Sequence, residues 1–130
     1  EVTVKNVTIF ANDMGANGII RYTWFGNKTV GSDQVTGTVY LGASGLGSFQ
    51  VTTVNDRFYM EGVIANRNAT NSQIGKGAAF VGTTGQSNTA EQTATIQTAN
   101  EQTLSFRISE STANDNTLRT DCILVEVLKP

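Results

Sequence analysis

The only cysteine of the chain, Cys122, follows Asp121 in the stretch LRTDCILVEVLKP near the C-terminus. A cysteine becomes a nucleophile when a neighbouring base or a positive environment favours its thiolate. The chain contains no histidine, and the neighbouring residue is an acid. We therefore expect Cys122 to be a buried, unreactive thiol, and a Ser-His-Asp arrangement is excluded.

Carboxylates could provide acid and base chemistry in pairs, as glycoside hydrolysis requires. Glu61 and Glu126 lie in separate predicted strands, and no spacing singles out a pair, so the favoured interpretation is solvated side chains.

Gly42, Gly45 and Gly47 in LGASGLGS match neither phosphate-binding glycine motif. They predict a hairpin or a bulge. The sequence thus indicates no catalytic residue and no enzyme.

Oxygen ligands of the kind that Ca²⁺ prefers occur together in the stretch STANDNTLRTD. Asn114, Asp115 and Asp121 are weak calcium candidates, because the glycine and the distal glutamate of an EF-hand loop are missing. Asn and Asp are also ordinary turn residues. The absence of histidine and the single cysteine argue against zinc. We expect no metal site and no cofactor.

Aromatic side chains alternate in RYTWF, where Tyr22 and Trp24 share one face and Phe25 lies on the other. Rings on an exposed sheet face can stack against sugars, and this would make Tyr22 and Trp24 a sugar-binding pair. The chain has one Trp and three Tyr to fill its core. We therefore favour packing over sugar binding for both residues.

Composition limits the classes of partner. The chain has 130 residues, 15% of them charged, and a net charge of −2. Nucleic acid binding is not expected, because it requires clustered Lys and Arg. No apolar run approaches the roughly 18 residues that span a bilayer, and no signal peptide is recognisable, so membrane insertion is not expected. The chain begins at Glu1, which suggests a processed form or a fragment.

Short runs rich in Val, Ile, Thr and aromatic residues alternate with turn residues, which is typical of an all-β domain. About nine strands are predicted, with little or no helix. We expect a single domain over residues 1–130, a two-sheet antiparallel sandwich with a jelly-roll or related Greek-key topology. Val51 to Met60 is the best predicted hairpin, with Asn55-Asp56 at its turn. Gly82 to Thr93 is predicted to be a long loop. The nine predicted strands are residues 2–10, 19–25, 35–42, 47–54, 57–65, 76–82, 91–98, 102–110 and 119–128.

The last strand is apolar on both faces. Ile123, Val125 and Val127 alternate with Cys122, Leu124 and Leu128, and only Glu126 interrupts the second set. We expect the first set to face the core. The set of Cys122, Leu124 and Leu128 is predicted to form an assembly interface, or else to lie under a loop in a central strand. Pro130 lacks an N–H and ends the pairing.

Two functions remain open. The first is a non-enzymatic structural subunit of a viral capsid, decoration or tail, or of an extracellular appendage, acting through self-association as a homo-oligomer or larger assembly. The low-charge surface and the apolar terminal strands favour it. The alternative is a lectin-like carbohydrate-binding module with a glycan partner. Both predict an extracellular location or the virion surface.

Overall fold

The computed structural model of the protein describes residues 1–31, 33–53, 56–82, 85–110 and 117–130. Within those ranges the chain is built from strands and contains no helix, and so none that is long and apolar enough to cross a membrane. The ten strands are β1 (Val2–Ile9), β2 (Ile19–Val30), β3 (Val35–Leu41), β4 (Ser44–Val51), β5 (Arg57–Asn66), β6 (Gln73–Val81), β7 (Gly85–Asn88), β8 (Gln92–Ala94), β9 (Gln102–Glu110) and β10 (Thr117–Leu128).

The strands form two antiparallel sheets. Sheet A has the order β1-β9-β3-β4, and sheet B has the order β10-β2-β5-β6-β7, with β8 also paired to β6. Strand β4 contacts β6 and β8 between the sheets, so β1 and β10 are the outer strands on the opposite side of the sandwich. The predicted all-β, two-sheet antiparallel fold is confirmed, whereas the pairing order does not establish a jelly roll.

The core forms because buried and exposed residues alternate along the strands of both sheets. Trp24 of β2 lies at its centre and is fully buried. Its ring meets Phe49, Phe58 and Phe106 edge-on, with centroids 5.0, 5.7 and 5.5 Å away. The indole Nε1 donates a hydrogen bond to Thr120 Oγ1 at 3.0 Å, which joins the centre of the core to the edge strand β10.

Tyr22 lies two residues before Trp24 and enters a socket lined by glycines. A Cβ atom at Gly47 or Gly62 would lie 2.2 Å from the Tyr22 hydroxyl, and one at Gly77 would lie 3.3 Å away. The glycines are therefore required by the close approach of the phenol. Within the described residues the buried hydroxyl has no hydrogen-bond partner.

A buried polar network fastens one end of the sandwich. Gln73, fully buried at the start of β6, donates to Asn66 Oδ1 at 2.8 Å and to the Thr70 carbonyl at 3.1 Å, and its Oε1 accepts from the Ile96 N–H at 2.7 Å. Asn66 in turn donates to Thr98 Oγ1 at 2.7 Å. The network anchors the segment that leads from β8 in sheet B to β9 in sheet A.

Two local predictions are wrong. The hairpin over Val51 to Met60 does not form, because β4 pairs with β3 in sheet A whereas β5 pairs with β2 and β6 in sheet B. The predicted loop from Gly82 to Thr93 contains β7 and the start of β8. The glycine stretch does form a hairpin, as predicted: Gly42 has a φ of 57° at the β3–β4 turn, and the register shifts after Val39.

Candidate functional site

The predicted sugar-stacking pair does not form a surface. Tyr22 and Trp24 are 2% and 0% exposed, respectively, because both lie on the face of β2 that packs against sheet A. Neither ring is available to a ligand, so the sugar-stacking assignment for these two residues is wrong and the packing interpretation is correct. Burial also raises the pKa of Tyr22 well above its ordinary value.

An aromatic row instead crosses the opposite, outer face of sheet B. It consists of Phe25 on β2, Tyr59 on β5 and Phe80 on β6, which are direct neighbours in the antiparallel register. The Phe25 and Tyr59 rings stack at 6.1 Å with an 18° angle between planes, and the Tyr59 and Phe80 centroids lie 6.4 Å apart. The three side chains are 36%, 40% and 44% exposed. Their rings cover one another only in part, so the row presents a continuous apolar surface to solvent.

A shallow cleft of about 580 Å³ follows the aromatic row. Arg57 and Asp121 provide its charged groups, and Gly82 and Gly85 also line it. Asp121 is also held by Arg119, whose Nε lies 2.8 Å from Asp121 Oδ1. The cleft therefore combines aromatic walls with a few polar groups at one end.

The remainder of the outer face mixes charges of both signs. Arg21, Glu61 and Lys76 line a depression of about 500 Å³ beside the aromatic row. Arg21 and Glu61 also line a smaller depression of about 190 Å³, together with Glu126 and Leu124. Glu61 thus lies in the middle of β5 with its side chain exposed.

The predicted assembly residues lie on this same outer face. Leu124 and Leu128 are 54% and 43% exposed, and the half-buried Cys122 lies opposite Phe25 in the register. Ile123, Val125 and Val127 pack against the core, as predicted. The strand itself is at the edge of sheet B and pairs with β2 alone among the described strands, so the alternative of a central strand is wrong.

Of the three calcium candidates, Asp121 alone lies within the described residues. Asn114 and Asp115 lie outside the described residues, and Asp121 is paired with Arg119 on β10. Across the described ranges, no three His, Cys, Asp or Glu side chains are grouped closely enough to hold a metal ion.

Sequence reasoning missed the aromatic row, although each strand carried a signal. Each of the segments RYTWF, RFYM and GAAFV contains one aromatic residue that is adjacent in sequence to buried residues. Because side chains alternate between the two faces of a strand, that aromatic residue points to the face opposite the core. Only the register of β2, β5 and β6 makes these three rings neighbours. Comparisons of the chain with protein-family models, with curated proteins and with solved structures find no match.

Proposed function

We propose that this protein is a non-enzymatic structural subunit that self-associates through the outer face of sheet B. One observation carries the proposal: of nine large hydrophobic side chains that are exposed in the described residues, six belong to this face. The three rings of the aromatic row form a contiguous part of it, and exposed contiguous apolar surface marks interaction sites in soluble proteins. The six are Phe25, Tyr59, Val63, Phe80, Leu124 and Leu128.

The size of the face suits a second copy. Strand β6 has nine residues, which corresponds to roughly 30 Å, and five strand positions at about 4.8 Å give a width of roughly 24 Å. The resulting area of about 700 Å² approaches the roughly 800 Å² that each partner contributes to a standard interface. A second copy could therefore cover the face without any additional element.

The charges suit a two-fold contact. A dimer of this type joins one patch to the same patch of its partner, so the patch must be complementary to itself. Arg21 and Lys76 provide positive charges on the outer face, and Glu61 and Glu126 provide negative ones. Charges of both signs on one face allow each to meet its opposite across the axis. This supports a homo-oligomer of the kind from which virion or appendage structures are built.

The test compares Phe80→Ser with Phe10→Ser. Both changes remove an exposed phenylalanine, 44% and 61% exposed respectively, but Phe10 follows β1 and lies away from the outer face of sheet B. Sedimentation velocity from about 1 to 100 µM should show self-association of the parent, at least tenfold weakening in Phe80→Ser, and no change in Phe10→Ser. Equal association of all three would overturn the proposal, as would a parent that remains monomeric.

A glycan-binding module is the second candidate, because the cleft along the aromatic row combines ring faces with Arg57 and Asp121. Rings bury the apolar faces of sugars while nearby polar groups bind the hydroxyls. This function predicts a monomer that is retained on immobilised polysaccharide, with retention lost in Tyr59→Ala and unchanged in Phe10→Ser. A monomeric parent with that pattern would favour the module over the subunit.

A further inference from the structure

We infer that two copies of this chain also pair edge to edge through β10, in an antiparallel register centred on Val125, so that sheet B continues from one subunit into the next. The inference rests on the proposed self-association and adds a second surface to it. Its partner is the same strand of another copy.

The two sides of the sandwich differ in how their edges are protected. On one side, the Thr89 hydroxyl accepts from the Ser48 N–H at 3.3 Å and donates to the Ser48 carbonyl at 3.0 Å. The Thr89 side chain thus occupies the main-chain N–H and C=O of Ser48 at the β4 edge. The sheet B edge on this side consists of the four-residue β7 and the three-residue β8. Short and covered edges of this kind resist pairing with other chains.

On the opposite side, no described strand pairs with the outer edge of β10. Strand β10 has twelve residues, and from Cys122 to Leu128 its pairing with β2 runs without a bulge. Along such an edge, successive residues point their main-chain N–H and C=O groups alternately toward the sheet and away from it. The groups that point away offer a regular template for another strand. Ile123, Val125 and Val127 remain only partly buried there. A neighbouring strand would cover these side chains and provide hydrogen-bond partners for the outward main-chain groups of the edge.

The side chains select one register. The bulge between Thr120 and Cys122 limits the regular edge to Cys122–Leu128, and Val125 is its midpoint. With Val125 on the two-fold axis, all seven residues pair, and Ile123 faces Val127 on the core side. An axis at Leu124 would pair only the five residues from Cys122 to Glu126, because the bulge follows, and an axis at Glu126 would set that carboxylate against its own copy. Opposite charges stabilise cross-strand pairs and like charges destabilise them. All three registers keep the apolar set on one face, so the length of regular pairing and the Glu126 repulsion decide in favour of Val125.

The antiparallel overlap of seven residues forms about six to eight main-chain hydrogen bonds. The contact area is smaller than that of the sheet B face, so we expect the edge contact to be the weaker of the two. The face uses the outward side chains of β10 whereas the edge uses its main-chain groups, so each subunit can engage one partner by its face and another by its edge.

Disulfide trapping tests the register. In the Val125 register, Cys122 of one copy faces residue 128 of the other, so Leu128→Cys should form covalent dimers under mild oxidation. Residues 122 and 128 of one chain are about 20 Å apart along the strand, too far for a bond within the chain. The parent and Cys122→Ser/Leu128→Cys are the controls, and neither should form dimers efficiently on a non-reducing gel.

Each outcome has a definite meaning. Dimers of Leu128→Cys at least tenfold above both controls would support the pairing. Efficient dimers of Cys122→Ser/Leu124→Cys would place the axis at Leu124 and overturn the register. If no variant forms dimers while circular dichroism shows folded protein, the edge pairing is wrong. Phe80→Ser can still weaken association in that case, which separates this failure from a failure of the proposed function.

Discussion

The Tyr22 hydroxyl gives the sharpest test of the packing described above. We predict that Tyr22→Phe stabilises the protein, because the hydroxyl is buried among Gly47, Gly62 and Gly77 without a hydrogen-bond partner in the described residues. A buried polar group without a partner costs about 1–3 kcal/mol relative to its hydrated state. Phenylalanine retains the ring and its edge contact with Phe106, whose centroid is 6.0 Å away.

Allowing for some relaxation of the socket, we expect the free energy of unfolding to rise by about 1–2 kcal/mol. At about 4 °C per kcal/mol for a domain of this size, the thermal midpoint should rise by about 4–8 °C. Calorimetry and urea denaturation at pH 7 measure both quantities. Tyr59→Phe is the matched control, since Tyr59 is 40% exposed and loses only a solvated hydroxyl.

The dependence on pH provides a second readout. Burial raises the pKa of Tyr22 in the folded state, so above about pH 10 the unfolded chain releases a proton that the folded protein retains. Tyr22 therefore lowers the stability of the parent by up to about 1.4 kcal/mol per pH unit above that point. Tyr22→Phe should lack this contribution and lose stability less steeply. A destabilised Tyr22→Phe protein at pH 7 would refute the reasoning, because it would show that the hydroxyl makes a stabilising hydrogen bond.

Three further changes test the core and the polar end. Gly47→Ala should lower the free energy of unfolding by about 1–3 kcal/mol, because the new Cβ meets the Tyr22 hydroxyl. In a Tyr22→Phe background the same change should cost less by urea denaturation, and equal losses in the two backgrounds would contradict the contact. Trp24→Ala should cost about 3–5 kcal/mol, because the fully buried ring contacts three others; a near-parental midpoint would show that the core repacks without it. Gln73→Leu leaves Asn66 Oδ1 and the Ile96 N–H without their partner, while the Thr70 carbonyl still accepts from Thr98. The change should cost about 2–4 kcal/mol, and a neutral result by the same assay would mean that the network adds no stability.

The sequence predicts strands well where apolar and polar residues alternate over a half-buried sheet. The alternation in RYTWF and the two apolar sets of β10 therefore allowed the core-facing residues to be assigned correctly. Strand β7 was missed because Gly85–Asn88 contains no apolar residue. Its pairing depends on main-chain hydrogen bonds to β6, which leave no pattern in side-chain hydropathy.

Pairing between distant segments of the chain explains the other differences between the predicted and the observed structure. Turn chemistry at Asn55-Asp56 indicates that the chain reverses, but it does not say whether the two strands join the same sheet. The two apolar faces of β10 likewise indicate that both are shielded from water. The sequence does not show whether another strand of this chain or another molecule shields the outer one. The aromatic row depends on the register of three strands, and no single segment of the sequence contains that information.

The order of strands in sheet A has a consequence for how the chain folds. Strand β9 lies between β1 and β3, so the first strand of the chain has no partner in its sheet until residues 102–110 have been synthesised. The centre of sheet B, in contrast, needs only β2, β5 and β6. Because contacts between distant segments form slowly, we expect a half-formed state in which sheet B exposes its core face while sheet A is incomplete. Such a state would aggregate with other chains through the exposed residues that later form the core. The pairing of β9 with β1 and β3 is therefore the step that removes this tendency to aggregate.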